Sequence, residues 1–178
     1  LEAQELRNAT CRGPFKKLIK ELVKNDFFVS ATNLSEGKVK KMEDEELVLR
    51  FFALSYRNGY TQYKGSFKNF LTQKMIDFNE LEPDQLSYMK EYFIDTFKLI
   101  DNSNIDLPFA KFKSKNNQLV KMSNFNVAVY DSLVVASSKM DHESSIDLEK
   151  FRELFHDEEY FRTVEGSTND ASKVHTRI

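Results

Sequence analysis

The chain has 178 residues, 40% hydrophobic and 30% charged, which is enough apolar side chain for one packed domain and excludes wholesale disorder. With 26 basic and 28 acidic residues the formal charge is −2, so no global basic field exists to drive unspecific nucleic-acid binding. A single cysteine excludes an internal disulfide framework and a cysteine-based zinc cluster, three histidines leave little for a histidine metal site, and no apolar run nears the ~20 residues of a membrane span.

The first segment, Leu1 to Cys11, is short and polar, and Gly13-Pro14 punctuates it. Pro suits the first turn of a helix. From Pro14 to about Asn25, Phe15, Leu18, Ile19, Leu22 and Val23 recur at amphipathic helical spacing. Phe27 and Phe28 follow as an apolar plug. Ala31 to Lys41 is polar and reads as an exposed loop. A helix starts near Glu43 or Asp44, where acids suit the N-terminus. Its residues Leu47 to Leu54 are apolar nearly all round, so it belongs in the centre, with Arg50 as the exception.

Arg57 to Lys64 is a Gly- and Tyr-containing turn region. Ser66 is the expected N-cap of a helix to about Asp77. Pro83 opens the next helix, with Leu86, Met89, Phe93, Phe97 and Ile100 in a heptad-like stripe. Asp101 to Gln118 is read as a loop, with Phe109 to Phe112 as a candidate short extended piece. Ser123 is expected to cap a helix reaching about Lys139, and Ser145 to open another through Phe155. A short helix holds Tyr160, Phe161 and Val164, and Gly166 stops it. Ser167 to Asp170 resembles a capping box for a final helix with Val174 and Ile178 on one side. With only five Gly and three Pro, the expectation is an all-α, irregular bundle of seven to nine helices with little or no strand, one domain over 1–178.

Chemistry-bearing motifs are few. Gly-x-Gly, His-Glu-x-x-His, Cys-x-x-Cys and Gly-x-Ser-x-Gly do not occur. The expectation is therefore no catalytic residue, no metal ligand set and no cofactor in this chain. Cys11 reads as a small buried thiol, Asp141-His142-Glu143 as a solvated turn, His156 as part of a charged helix end and His175 as a surface residue. Lys38, Lys40 and Lys41 form one basic stretch, and Lys111, Lys113 and Lys115 another. Either is a solvated loop or a set of phosphate contacts, since alternate lysines on an extended segment point one way. Arg50 in its apolar helix either reaches the surface, pairs with Glu46 one turn back, or meets an anion at a domain junction. Gln4, Arg7 and Asn8 share one face of a helix, either an ordinary exposed one or a seam to another domain.

Two stretches carry a resemblance: Gln4-Glu-Leu-Arg-Asn-Ala-Thr-Cys-Arg-Gly-Pro-Phe15 and Met42-Glu-Asp-Glu-Glu-Leu-Val-Leu-Arg-Phe-Phe-Ala-Leu54, with weaker support from Tyr63 to Leu71, Met75, Phe125 to Val135, and Val174 with Arg177-Ile178. They resemble the prokaryotic "domain of unknown function 262", the GmrS-like group. Members of that group have an N-terminal α/β part like ParB-like nucleases, with an Asp-Gly-Gln-Gln-Arg motif, and some an HNH-type nuclease domain. They act in modification-dependent restriction and phage defence with nucleotide hydrolysis. Neither signature occurs here. The resemblance therefore implies the helical portion downstream of the α/β part, a fragment of a longer protein, and the lone thiol with no membrane span points to the cytoplasm. Nucleotide and divalent metal would then belong to the full-length protein. The implied partners are the upstream domain and DNA, with no membrane. Gln4, Glu5, Arg7 and Asn8 match the segment following the catalytic part, and Asp44, Glu46 and Arg50 its central helix. All seven are expected at the domain junction. The alternative is a helical protein–protein interaction module. The first reading expects both lysine stretches and Arg7 or Arg50 on one face; the alternative expects a large exposed Phe-rich patch. An enzyme would show a closed pocket with convergent titratable groups.

Overall fold

The computed structural model describes residues 3–141 and 143–178. They form a mostly helical fold with a two-stranded antiparallel sheet. The organising element is α5 (Glu43–Ser55), which touches α1 (Ala3–Thr10), α2 (Pro14–Leu22), α4 (Glu36–Lys40), α6 (Phe67–Asn79), α7 (Pro83–Asp101) and α8 (Val127–Ser137). Its sequence dictates that place. Val48, Leu49, Phe51, Phe52, Ala53 and Leu54 leave no side that water can face, so neighbours must cover every side.

Aromatic rings fill the space around α5. Phe51 meets Phe52, Phe93 and Phe97 at centroid distances of 5.0, 5.2 and 5.9 Å. Phe15 from α2 packs edge-on against Phe52 and Phe78, and Phe28 from α3 (Asp26–Thr32) against Phe97. Such contacts add directional preference to area burial. The heptad-like stripe of α7 is the face that receives them, since Met89, Phe93, Phe97 and Ile100 are all buried.

Local chemistry sets the ends. Asn79, the last residue of α6, accepts hydrogen bonds on Oδ1 from the amides of Phe15 and Lys16, capping α2 from a distant part of the chain. A Cβ on Gly13 would lie 2.3 Å from that oxygen, which is why glycine precedes Pro14. Ser66 caps α6 as expected, through Asn69 N. Arg57 and Asn58 both lie in the left-handed region (φ 51 and 55), interrupting a 3₁₀ segment over Tyr56–Gln62.

Four expectations need correction. The described residues hold eleven α-helices rather than seven to nine, because the polar stretch after Phe28 and the C-terminal third contain short ones. Ala31 to Lys41 is thus not a loop: it closes α3 and contains α4. Asp101 to Gln118 leads into a hairpin of β1 (Lys111–Lys115) and β2 (Gln118–Ser123). Asn116 and Asn117, both left-handed (φ 51 and 60), make its two-residue turn, a geometry that Asn tolerates well. The caps of the last helices also shift. Asn126, not Ser123, caps α8 by accepting from Ala128 N and Val129 N, and Asp147, not Ser145, caps α9 (Leu148–Glu153). Asp170 precedes α11 (Ala171–Arg177) with no side-chain cap, so the capping box does not form.

The second, smaller core lies under the hairpin. Phe155 and Val164 pack with Ala128 and Val129, partly covered by Phe112 and Leu119. There α10 (Glu158–Thr163) meets α11.

Candidate functional site

The two guanidiniums and one carboxylate at the heart of the molecule come from three elements. Arg50 on α5 grips Asp131 on α8 through Nε–Oδ1 at 3.0 Å and Nη2–Oδ2 at 2.6 Å. Arg177 on α11 reaches the same Oδ2 at 2.9 Å. All three are buried, Asp131 completely. Burial opposes the charge of Arg50, but the charge and hydrogen bonds of Asp131 outweigh it, and the guanidinium pKa is raised. The ring of Phe67 lies 3.6 Å from Arg50 Cζ and fixes its plane. Arg177 Nη1 donates to the carbonyls of Thr168 and Thr163, tying α11 to the preceding turn.

Arg50 is therefore not paired with Glu46, as helical spacing suggested. Glu46 is taken by Arg7, whose Nε also donates to Gln4 Oε1 at 2.8 Å. Burial lowers the pKa of Arg7, with Glu46 opposing that effect. Asn8 donates to Glu45 Oε2. The shared face of Gln4, Arg7 and Asn8 thus turns inward onto α5, and those three residues are buried within this chain. Glu5 lies at intermediate exposure beside that face. Asp44 keeps one oxygen sealed without a hydrogen-bond partner, and burial raises its pKa.

Next to this network an open cleft of about 580 Å³ runs between α1, α4, α5 and α8. Gln4, Glu46 and Arg50 line it together with Lys38, Lys41 and Phe125. Lys38 spans to Glu43 at 3.5 Å and lies over the Phe125 ring. One of the two lysine stretches therefore joins Arg50 at one face. Lys40 points to solvent on α4 but does not line the cleft. The other stretch goes elsewhere. Lys111 is buried, facing Glu165 at 3.7 Å and the Phe161 ring at 5.0 Å, while Lys113 and Lys115 project from the hairpin. Lys113 borders a separate cleft with His156 and Phe161.

Asp131 and Arg177 are the functional candidates that the sequence reading missed. The signal for Asp131 was present: a lone acid in the apolar run Val127 to Val135, the mirror image of Arg50 in α5. Tyr160 was missed as well. Its hydroxyl is sealed without a hydrogen-bond partner, and burial pushes its pKa up to about 12. Ser132 lies near enough to oppose that rise, yet its own hydroxyl donates to Ala128 O instead. No Phe is among the exposed large apolar residues of the described chain, and two of those residues, Val120 and Met122, share one face of β2. Among the described residues no group of acids, histidines and cysteine gathers as a metal site, and no helix is long and apolar enough to cross a membrane. His142 of the Asp-His-Glu triplet lies outside the described residues.

The fold and cleft define a mostly helical domain with a buried ionic centre. No family model, curated protein or solved structure matches the chain.

Proposed function

We propose that the chain is the helical accessory portion of a prokaryotic restriction or phage-defence protein. It supports an upstream ParB-like part, to which nucleotide hydrolysis, divalent metal and nuclease chemistry are assigned, and it contacts DNA through the cleft beside α5. The observation that carries this reading is the way its two most specific motif stretches meet. Residues 4–15 and 42–54 are far apart in sequence, yet α1 closes on α5 through Arg7 with Glu46 and Asn8 with Glu45. A resemblance confined to one surface element would be a weaker guide. Here the matching residues form one interlocked unit, and Lys38 and Lys41 stand on its open side.

The test is fluorescence anisotropy of a labelled duplex titrated with the folded chain at low and at moderate salt. Saturable binding that weakens steeply with salt is expected, because displaced counterions make phosphate contacts salt-dependent. No binding at tens of micromolar protein would remove DNA from the account and leave a protein–protein module.

A further inference from the structure

We propose that the cleft between α1, α4, α5 and α8 is a binding site for a phosphate group, held by Arg50 Nη1 at its floor and by Lys38 and Lys41 at its rim. This goes beyond the reading above and does not depend on it, since a phosphate can arrive free, on a nucleotide or in a nucleic-acid backbone.

The first argument is charge. Arg50 and Arg177 share the single carboxylate of Asp131, so the largely buried centre carries a surplus positive charge that borders the cleft through Arg50. An uncompensated buried charge is costly, and an anion set against it lowers that cost. The second is geometry. Asp131 occupies Nε and Nη2 of Arg50 and leaves Nη1 with no hydrogen-bond partner among the described residues. Arg50 is only 4% exposed and lines the cleft. Its Nη1 is not among the sealed polar atoms that lack a partner, whereas Nε of Arg177 is. A guanidinium fixed in place by a carboxylate and an aromatic ring, on a residue that lines a cleft and with one nitrogen unused by the carboxylate, is preorganised for an oxyanion.

The cleft walls agree. The N-terminal ends of α5, at Met42 and Glu43, and of α8, at Asn126 and Val127, both border it. The 11-residue α8 has no acid in its first turn, so its positive dipole end favours negative charge, whereas the end of the 13-residue α5 is already met by Glu43, Asp44, Glu45 and Glu46. The two carboxylates on the wall are already engaged, Glu46 by Arg7 and Glu43 by Lys38. Lys41 has no ion-pair partner among the described residues and is exposed at the mouth. Lys41 stands over the Arg50 floor free of any ion pair among the described residues, and Lys38, shared with Glu43, adds a second rim ammonium that suits a tetrahedral oxyanion. The volume, about 580 Å³, lies in the range of small-molecule sites and accommodates a nucleotide-sized ligand.

The experiment is thermal unfolding in sodium phosphate against sodium chloride at matched ionic strength, for the wild-type chain and for Lys41→Ala. Phosphate is expected to raise Tm by about 2–4 °C in the wild type and by less than half of that in the variant. Lys41 is exposed, so its replacement leaves the fold intact. As a direct readout, phosphate added to arginine-labelled protein should shift the Arg50 side-chain resonances and leave those of Arg152 in place. Adenosine monophosphate that displaces phosphate would identify a free nucleotide as the source; duplex DNA that displaces it would identify a backbone phosphodiester. No rise in Tm, an equal rise in Lys41→Ala, or an unmoved Arg50 signal would each overturn the proposal.

Discussion

Asp131 carries the heaviest electrostatic duty of any residue, since two buried arginines depend on it. Asp131→Asn keeps the shape and removes the charge, leaving both guanidiniums uncompensated. We expect a loss of about 3–5 kcal/mol in urea unfolding, whereas Arg177→Met, which leaves the Arg50 pair whole, should cost clearly less. Tyr160 gives a pH signature. Its hydroxyl ionises near 10.0 when unfolded and near 12 when folded, so the folded state holds that proton more tightly. Its titration therefore leaves stability unchanged below pH 10.0 and lowers it as pH climbs toward 12. Tyr130, pushed well above its ordinary value by burial, adds in the same direction. Tyr160→Phe should flatten the alkaline fall by about 2–3 kcal/mol and stabilise the protein at neutral pH, because a sealed unpartnered hydroxyl is removed. At this scale the sequence was half legible. Arg50 stood out as a charge in an apolar helix, but its partner lies 81 residues away and spacing offered only the neighbouring Glu46.

Elements with strong periodicity were legible. The α2 face, the all-round apolar α5, the Ser66 cap and the α7 stripe follow from side-chain spacing alone. What escaped was short and polar. The hairpin alternates lysine with Phe and Ser, has no Gly in its turn, and buries little, so nothing separates it from a loop before packing is known. The α2 cap escaped for another reason: Asn79 comes from α6, and no local pattern signals a cap supplied by a distant helix. Asn79→Ala should therefore destabilise the fold by about 1 kcal/mol, measured by chemical denaturation, although it is neither a core residue nor a local cap. In the hairpin, Asn117→Gly should raise stability by a few tenths of a kcal/mol, since glycine meets the left-handed turn at no steric cost.

The molecule as a whole is built around α5, and its charges are sorted rather than uniform. A net charge of −2 hides a cleft where Lys38, Lys41 and Arg50 gather beside Glu43 and Glu46, and a lysine strip on the hairpin. Composition could exclude a global basic field but not locate these, because only the fold decides which lysines share a surface. Lys38 and Lys41 border the Arg50 floor, whereas Lys113 and Lys115 stand on the hairpin, outside that cleft. The decisive comparison is duplex-DNA anisotropy at low salt for the wild type and two double charge reversals, Lys38→Glu with Lys41→Glu and Lys113→Glu with Lys115→Glu. Both pairs change the net charge equally, so a general electrostatic effect cancels. Loss of binding in the cleft pair with near-normal binding in the hairpin pair is the expected result. Equal weakening in both, loss confined to the hairpin pair, or no binding by the wild type would contradict the proposed DNA contact at the cleft.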